Sequence, residues 1–162
     1  MKMIKMLGVI AILIAVCASV SEARQKKKMP PPPPPKKEMV EYASASNPNP
    51  RNLSDFVRVG DILYVSGKLG TDSTGKLAAG GIGPETKQAL ENIKATLEKN
   101  GSSMDNVIKC TVMLADIKEW ADMNTVYNTF FRKERLPARS AFGTAGLVLN
   151  ARVEIECMAT VK

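Results

Sequence analysis

The chain contains no histidine, and neither its cysteines nor its acidic residues have the spacing of metal ligands. Histidine is the usual general acid and base near neutral pH because its side chain titrates there. Its absence excludes histidine-based triads, and the missing ligand spacing argues against a metal site. Any chemistry is therefore expected to use a cation that fixes a carboxylate.

Positive charge is scarce in the part of the chain that is expected to fold. The whole sequence has 23 Lys and Arg against 16 Asp and Glu, a net charge of +7. Eight of the basic and two of the acidic residues precede Met39, so the remainder has 15 basic and 14 acidic residues. A domain with a net charge of +1 lacks the basic surface that a phosphate backbone requires, and we expect no nucleic-acid partner.

One long apolar run lies at the N terminus. Met6 to Val20 follows a positively charged start and precedes Ser21-Glu22-Ala23, a small-x-small cleavage site. This run of 15 residues is shorter than the roughly 20 that a membrane-spanning helix needs. The pattern predicts a secretory signal peptide over residues 1–23, hence an exported protein, periplasmic or secreted. The alternative is an uncleaved signal that tethers the protein to a membrane.

Residues 24–38 read RQKKKMPPPPPPKKE. Consecutive prolines favour an extended polyproline II helix of about 3.1 Å per residue. We expect a Lys/Pro-rich linker that separates a domain of residues 39–162 from the N terminus. Its lysines are either solvated or in contact with an anionic envelope surface.

Only two cysteines remain once the signal is removed, Cys110 and Cys157, and they lie in separate apolar segments. Export would permit a disulfide, but two cysteines do not make a disulfide framework. We expect both to be small core or interface residues, not partners in a bridge.

Apolar periodicity within the domain predicts strands in pairs with two helices between them. The clearest hairpin has strands Asp55–Val59 and Ile62–Ser66 around Gly60-Asp61, and Pro84 is expected to open a helix that ends at Asn100-Gly101. The other predicted features are a strand over 39–44, a loop over 71–83, a strand over 107–114, a capping box of Asp116 and Glu119, a second helix from Trp120, a strand from Arg139 through Phe142, and a strand over 152–161. This order is typical of an α+β fold with both helices on one face of a sheet. A second copy of the chain is expected to cover the other face.

Three polar residues are candidates for a site, each with a structural alternative. Arg139 follows Pro137 at a strand start, and its planar fork suits a carboxylate; it is otherwise an ordinary surface arginine. Asn124 lies in the apolar stripe of the second helix, where its amide is either satisfied by packing partners or part of a site. Glu154 and Glu156 share one strand face, which more commonly means a solvated or interfacial face.

Six segments carry a resemblance that covers nearly the whole domain. They are Val57–Gly67, Thr86-x-x-Ala89-Leu90-x-Asn92-Ile93, Val112–Asp116, Asn124-x-x-Tyr127-x-x-Phe130-Phe131, Pro137-Ala138-Arg139-Ser140 and Val153–Glu156. In their order and spacing, the chain from about Val40 to Val161 resembles the RidA family, the YjgF-type reactive intermediate deaminases.

The resemblance implies a chorismate-mutase-like α+β fold in a homotrimer with a central barrel and a cleft between neighbouring subunits. It implies hydrolysis of 2-imino acids or their enamine tautomers to 2-oxo acids and ammonia, without a cofactor. Arg139 matches the arginine that binds the substrate carboxylate, and Glu154 matches the glutamate that positions water. Asn124 and the backbone of Gly67 match residues of the cleft.

Two positions depart from the family pattern. Leu53 stands where deaminases commonly have a cleft tyrosine, and Ala141 stands where some members have cysteine, although the backbone there could still bind substrate. An imine carbon is already electrophilic, so the protein needs mainly to orient water and hold the carboxylate. We therefore expect an imine deaminase. The alternatives are a non-catalytic trimer that binds 2-oxo or imino acids and, less favoured, a ribonuclease or translation inhibitor.

Overall fold

The computed structural model describes residues 40–44 and 53–161. The predicted signal peptide, the Lys/Pro-rich linker and the start of the predicted domain at residue 39 lie outside the described residues.

A six-stranded mixed sheet forms one layer of the domain. Its strands are β1 (Val40–Ser44), β2 (Ser54–Val59), β3 (Ile62–Leu69), β4 (Val107–Leu114), β5 (Ala138–Gly143) and β6 (Val153–Thr160), in the spatial order β1-β2-β3-β6-β4-β5. Only β4 and β5 run parallel, and the other neighbours are antiparallel. The predicted hairpin is β2–β3, and Gly60 supplies the positive φ, 56°, that its tight turn requires.

Two helices form the second layer, α1 (Ile82–Lys99) and α2 (Trp120–Tyr127). Their buried side chains pack on one sheet face, where alternate strand residues point inward. The apolar core includes Leu90, Ile93, Leu97, Met123 and Tyr127 from the helices, and Leu63, Val65, Val112, Leu114, Val153 and Ile155 from the sheet. The predicted α+β class, a mixed sheet with two helices on one face, is confirmed.

One helix start and one half of the predicted capping box differ from the predictions. Helix α1 begins at Ile82, not at Pro84, because proline is tolerated throughout a first turn whose N–H groups have no intrahelical partner. The capping box is half correct: Asp116 Oδ1 accepts a hydrogen bond from the Lys118 N–H at 2.9 Å and caps a short 3-10 turn. Glu119 does not return to Asp116, since its carboxylate pairs with the Arg152 guanidinium, where Nε to Oε2 is 2.9 Å.

The prediction that Cys110 and Cys157 are unbridged was wrong. They are direct partners across β4 and β6, with Cα atoms 4.2 Å apart, and form a disulfide in the core. The pairing depends on a sheet order that places two strands 47 residues apart side by side in this register. Sequence spacing alone does not reveal that order.

We expect this disulfide to stabilise the domain strongly. Closing a loop of this length is worth about 2–5 kcal/mol, mainly by restricting the unfolded chain. Refolding the protein in reductant should lower its Tm by about 10 °C. A Cys110→Ala/Cys157→Ala variant is the control, since its Tm should not respond to reductant. A reductant-insensitive wild-type Tm would contradict the assignment.

The second sheet face carries apolar side chains that one chain leaves in contact with water. Tyr42, Tyr64 and Phe142 on this face are 71%, 42% and 47% exposed, and Tyr42 and Tyr64 lie in one row because both are paired with Val57 of β2. Large apolar side chains exposed on a sheet face that no other layer covers indicate an interaction site. The face therefore fits the expected self-association.

Candidate active site

Arg139 lies on β5 beneath helix α2. Its register partner on β4 is Cys110, a core residue, so Arg139 points to the helix-covered face. There its Nη1 donates a hydrogen bond to Asn124 Oδ1 at 2.7 Å. The guanidinium carbon lies 4.5 Å from the ring centroid of Tyr127 and 5.6 Å from that of Trp120, within the range of cation–π attraction. We call these four residues the arginine cluster.

The arginine cluster fixes the guanidinium without consuming its hydrogen-bonding capacity. Asn124 accepts a hydrogen bond from one N–H, and the aromatic rings contact the flat face of the guanidinium. No other hydrogen bond from Arg139 is found within residues 40–44 and 53–161, so among these residues its remaining N–H groups are available to a carboxylate. The amide oxygen of Asn124 is satisfied by this hydrogen bond, which also orients Arg139, and the place of Asn124 in a substrate site stays a prediction. Ala141 lies two residues further along β5 on the same face, and β5 is an edge strand with outward-facing backbone groups.

Tyr127 supports the cluster with its ring and not with its hydroxyl. The residue is buried, and its hydroxyl has no hydrogen-bond partner among the described residues. Burial raises the pKa of Tyr127 to about 12, and the nearby charge of Arg139 opposes that rise. The phenol is therefore neutral near pH 7 and is not a base for proton transfer.

Glu154 lies on the opposite sheet face, near the start of β6. It alternates with the buried residues Val153 and Ile155, and its carboxylate lies directly against Gly67 of β3. A Cβ added to Gly67 would overlap Glu154 Oε1 and lie 2.9 Å from its Cδ. Glycine lets the Glu154 carboxylate approach the strand closely and leaves bare backbone beside it, whereas a larger residue would displace the carboxylate.

The carboxyl group of Glu154 is easier to protonate than an ordinary glutamate. Partial burial raises the pKa of Glu154 above its usual value of 4.5, and the negative charge of Glu156 adds to the rise. A raised pKa brings the group closer to the range in which it can both accept and release a proton.

A cleft of about 810 Å³ opens beside Glu154, and we call it the glutamate cleft. It is lined by Leu53, Asp55, Gly67, Lys68, Leu69, Thr71, Asp72, Ser73, Gly75, Gln88, Asn92, Ala95, Thr96, Val148, Leu149 and Glu154. One wall is held by Asn92 of α1, whose Nδ2 donates to the carbonyls of Leu69 at 3.1 Å and Thr71 at 2.9 Å. Leu53, Gly67 and Glu154, three of the predicted site residues, thus line one cleft.

The predicted residues fall into two groups that a single chain keeps apart. Arg139 is the register partner of Cys110 on β4, whose side chain points to the helix-covered face. Glu154 is the register partner of Met113 on β4, whose side chain points to the other face. Asn124, Arg139 and Ala141 are therefore on one side of the sheet, and Glu154 is on the other. The roles assigned to these residues stay predictions.

The arginine cluster and the glutamate cleft also contain residues that the sequence analysis did not assign to a site. Trp120 and Tyr127 were assigned to an apolar stripe, yet their rings flank Arg139. Their spacing of four and three residues from Asn124 is the available signal, because such residues share a helix face. Val148 and Leu149, between the predicted strands that end at Phe142 and begin at Arg152, also line the glutamate cleft; no sequence pattern marked them.

The described residues provide neither a metal site nor a membrane-spanning helix. No group of three or more His, Cys, Asp or Glu side chains in this part of the chain is arranged to hold a metal ion. Over the same ranges, 40–44 and 53–161, none of the helices has the length and apolar character needed to cross a membrane.

Comparisons with known proteins agree with the fold and with the resemblance. A family model described as endoribonuclease L-PSP matches residues 45–161. The 2-iminobutanoate/2-iminopropanoate deaminase of Rattus norvegicus is 44% identical over 107 residues, which are 65% of this chain and 77% of the rat protein. The crystal structure of yeast Mmf1 superimposes with a TM-score of 0.70 at 33% identity, covering 76% of this chain and all of that one. RidA from Psychrobacter sp. gives a TM-score of 0.66 at 33% identity over 78% of this chain and 99% of its own. The chain belongs to the endoribonuclease L-PSP family, the YjgF/RidA proteins.

Proposed function

We propose that the protein hydrolyses reactive 2-imino acids and their enamine tautomers to 2-oxo acids and ammonia. The observation that carries the proposal is the arginine cluster, in which a half-buried guanidinium is oriented but keeps free N–H groups for a carboxylate. The mammalian relatives named 2-iminobutanoate/2-iminopropanoate deaminases support the same chemistry.

In the proposed mechanism, Arg139 binds the substrate carboxylate and places the adjacent imine carbon within reach of a water held by Glu154. The water oxygen forms a bond to the carbon of the protonated imine while Glu154 accepts a water proton and the C=N electron pair moves to nitrogen, which gives a carbinolamine. Glu154 then returns the proton to nitrogen, the carbon–nitrogen bond breaks as the carbon–oxygen double bond forms, and the hydroxyl proton leaves with the ammonia as ammonium, which releases the 2-oxo acid. The raised pKa of Glu154 suits both transfers, and most of the acceleration comes from positioning.

The active site is proposed to form between subunits of a homotrimer. Arg139 and Glu154 lie on opposite faces of one sheet, so a single chain does not present both to one small substrate. The exposed apolar face with Tyr42, Tyr64 and Phe142 provides a surface for a second copy. In a closed ring with head-to-tail contacts, Arg139 of one subunit would face Glu154 of the next.

Direct turnover tests the chemistry. Imines generated in place from amino acids by an amino-acid oxidase are mixed with the protein, and the rate of 2-oxo acid formation is followed. Acceleration over the uncatalysed rate supports the deaminase. If the folded protein binds 2-oxo acids in calorimetry but shows no turnover, the function is that of a non-catalytic binding trimer. The specific observation that favours this alternative is the leucine at position 53, where deaminases commonly have tyrosine.

Subunit mixing tests the shared site. Arg139→Ala and Glu154→Gln chains are co-expressed with different tags, and mixed trimers are purified through both. Every mixed trimer has both native residues in one of its three clefts, so activity should return to about a third of wild type. Activity no higher than that of either parent would contradict a site between subunits.

We do not propose ribonuclease activity, despite the description of the family. The domain has a net charge of +1 and the chain has no histidine, so neither phosphate binding nor the common acid–base chemistry of RNA cleavage is favoured.

We also propose that the protein is exported. The disulfide supports this, because such bonds persist mainly in oxidising compartments. The intact mass of protein recovered outside the cytoplasm tests the proposal: a start near Arg24 indicates a cleaved signal, a retained residue 1 indicates a tether, and recovery only from the cytoplasm contradicts export. Contact of the Lys/Pro-rich linker with an anionic envelope surface stays a prediction.

A further inference from the structure

Three large apolar side chains stand at the rim of the glutamate cleft in contact with water. Leu53 is 54% exposed, Val148 is 69% exposed and Leu149 is 58% exposed. Single exposed apolar residues need no explanation, but several around one concave surface indicate that something apolar binds there. We call these three residues the apolar rim.

Leu149 has a backbone conformation that is unfavourable for a residue with a leucine side chain. Leu149 has φ 61° and ψ 16°, in the left-handed region, where glycine or asparagine is tolerated more easily than leucine. The turn itself is held by backbone hydrogen bonds, from the Asn150 N–H to Leu147 O at 3.2 Å and from the Ala151 N–H to Val148 O at 3.1 Å. The turn does not require leucine. We therefore explain the leucine at this position by the contact of its side chain with the cleft.

The cleft has more room than the reacting group needs. Its polar part, Glu154 beside the bare backbone of Gly67, lies with the apolar rim in one space of about 810 Å³. Volumes of roughly 300–1,000 Å³ are typical of pockets that enclose whole organic ligands. A three-carbon imino acid would leave the apolar rim exposed, whereas a longer side chain would cover it.

We infer that the preferred substrates are 2-imino acids with apolar side chains of about four carbons or more, which the apolar rim contacts; this inference rests on the proposed function. Loss of water from serine or threonine, the β-hydroxy amino acids among the protein building blocks, yields enamines of only three or four carbons. Imines of this larger class arise by two-electron oxidation of the parent amino acids, such as leucine or phenylalanine. The reaction that supplies this enzyme is therefore amino-acid oxidation, with a hydride acceptor or oxygen taking the electrons.

The test compares kcat/KM for the imines of leucine and alanine in the wild type and in Leu149→Asn. We expect the wild type to favour the leucine imine at least about tenfold, because a few methylenes in an apolar site have effects of this size. Leu149→Asn should remove most of that preference, because it should raise KM for the leucine imine far more than KM for the alanine imine. It should fold at least as well as the wild type, since asparagine tolerates the left-handed backbone.

Leu136→Asn is the matched control. Leu136 is similarly exposed, at 59%, and borders a separate depression. The same substitution there should leave both rates and their ratio unchanged.

Equal wild-type rates for the two imines, or an unchanged ratio in Leu149→Asn, would overturn the inference. Loss of the trimer in Leu149→Asn with no change in ratio would assign the apolar rim to subunit contact instead. If the folded wild type hydrolyses neither imine, the proposed function fails, and calorimetry with 4-methyl-2-oxopentanoate and pyruvate still decides the preference. Tighter binding of the larger acid that weakens in Leu149→Asn supports the inference, and equal binding overturns it.

Discussion

Replacing Arg139 with lysine is expected to lower kcat/KM for 2-imino acids about 100-fold. A charged hydrogen bond to a carboxylate is worth about 1.5–3 kcal/mol, and lysine cannot reproduce the planar fork that Asn124 and the rings of Tyr127 and Trp120 orient. A loss of about 3 kcal/mol of transition-state binding corresponds to a factor of roughly 100.

Binding can be followed independently of turnover through Trp120, the one tryptophan of the chain, whose ring lies 5.6 Å from the Arg139 guanidinium carbon. Titration with a 2-oxo acid product should change its fluorescence in the wild type and not in Arg139→Lys. Arg132→Lys is the matched control, because Arg132 is exposed and pairs with Asp105 away from the arginine cluster. An Arg139→Lys trimer with wild-type turnover would remove the role assigned to Arg139.

Replacing Glu154 with glutamine should also lower kcat about 100-fold, at the lower end of what a positioned acid–base group contributes. Glutamine keeps the size of the side chain beside Gly67 but cannot accept the proton of the attacking water. The Tm should stay the same or rise near pH 7. Glu154 has a raised pKa in the folded state, so it favours folding when protonated, and that contribution is lost as the pH rises above 4.5 through the raised pKa. A clear loss of Tm together with unchanged kcat would contradict both parts of this expectation.

Glu156→Gln separates the electrostatic effect from the chemistry. Glu156 lies on the same strand face and contributes to the raised pKa of Glu154. Removing its charge should lower that pKa and move the acid side of the pH–rate profile to lower pH, while kcat near pH 7 changes little. A profile that moves the other way, or does not move, would show that Glu154 is not the titrating group.

Local patterns were sufficient for most elements of the fold. The β2–β3 hairpin followed from Gly60-Asp61 between two alternating segments, and β6 followed from the alternation that buries Val153, Ile155, Cys157 and Ala159. The start of α1 was misplaced by two residues, because proline is compatible with more than one position in a first turn.

The candidate site was predictable only in part, and mainly through the resemblance. Arg139, Asn124, Gly67 and Glu154 were named from their motifs, and the structure places Arg139 with Asn124 and Gly67 with Glu154. The aromatic residues around Arg139 were missed because a ring at helical spacing is ordinarily core. The apolar rim was missed because loop residues carry no periodicity.

The sequence by itself determined the order and type of the elements, the near-neutral domain and the family, because these depend on local propensity, composition and motif order. Only the tertiary structure decided that Cys110 faces Cys157, that Arg139 and Glu154 occupy opposite faces, and that Leu149 borders the cleft with a left-handed backbone. Each of these depends on which strands become neighbours and in which register. Strand pairing is a non-local choice set by packing of the whole core, and a residue's own neighbours in sequence do not encode it.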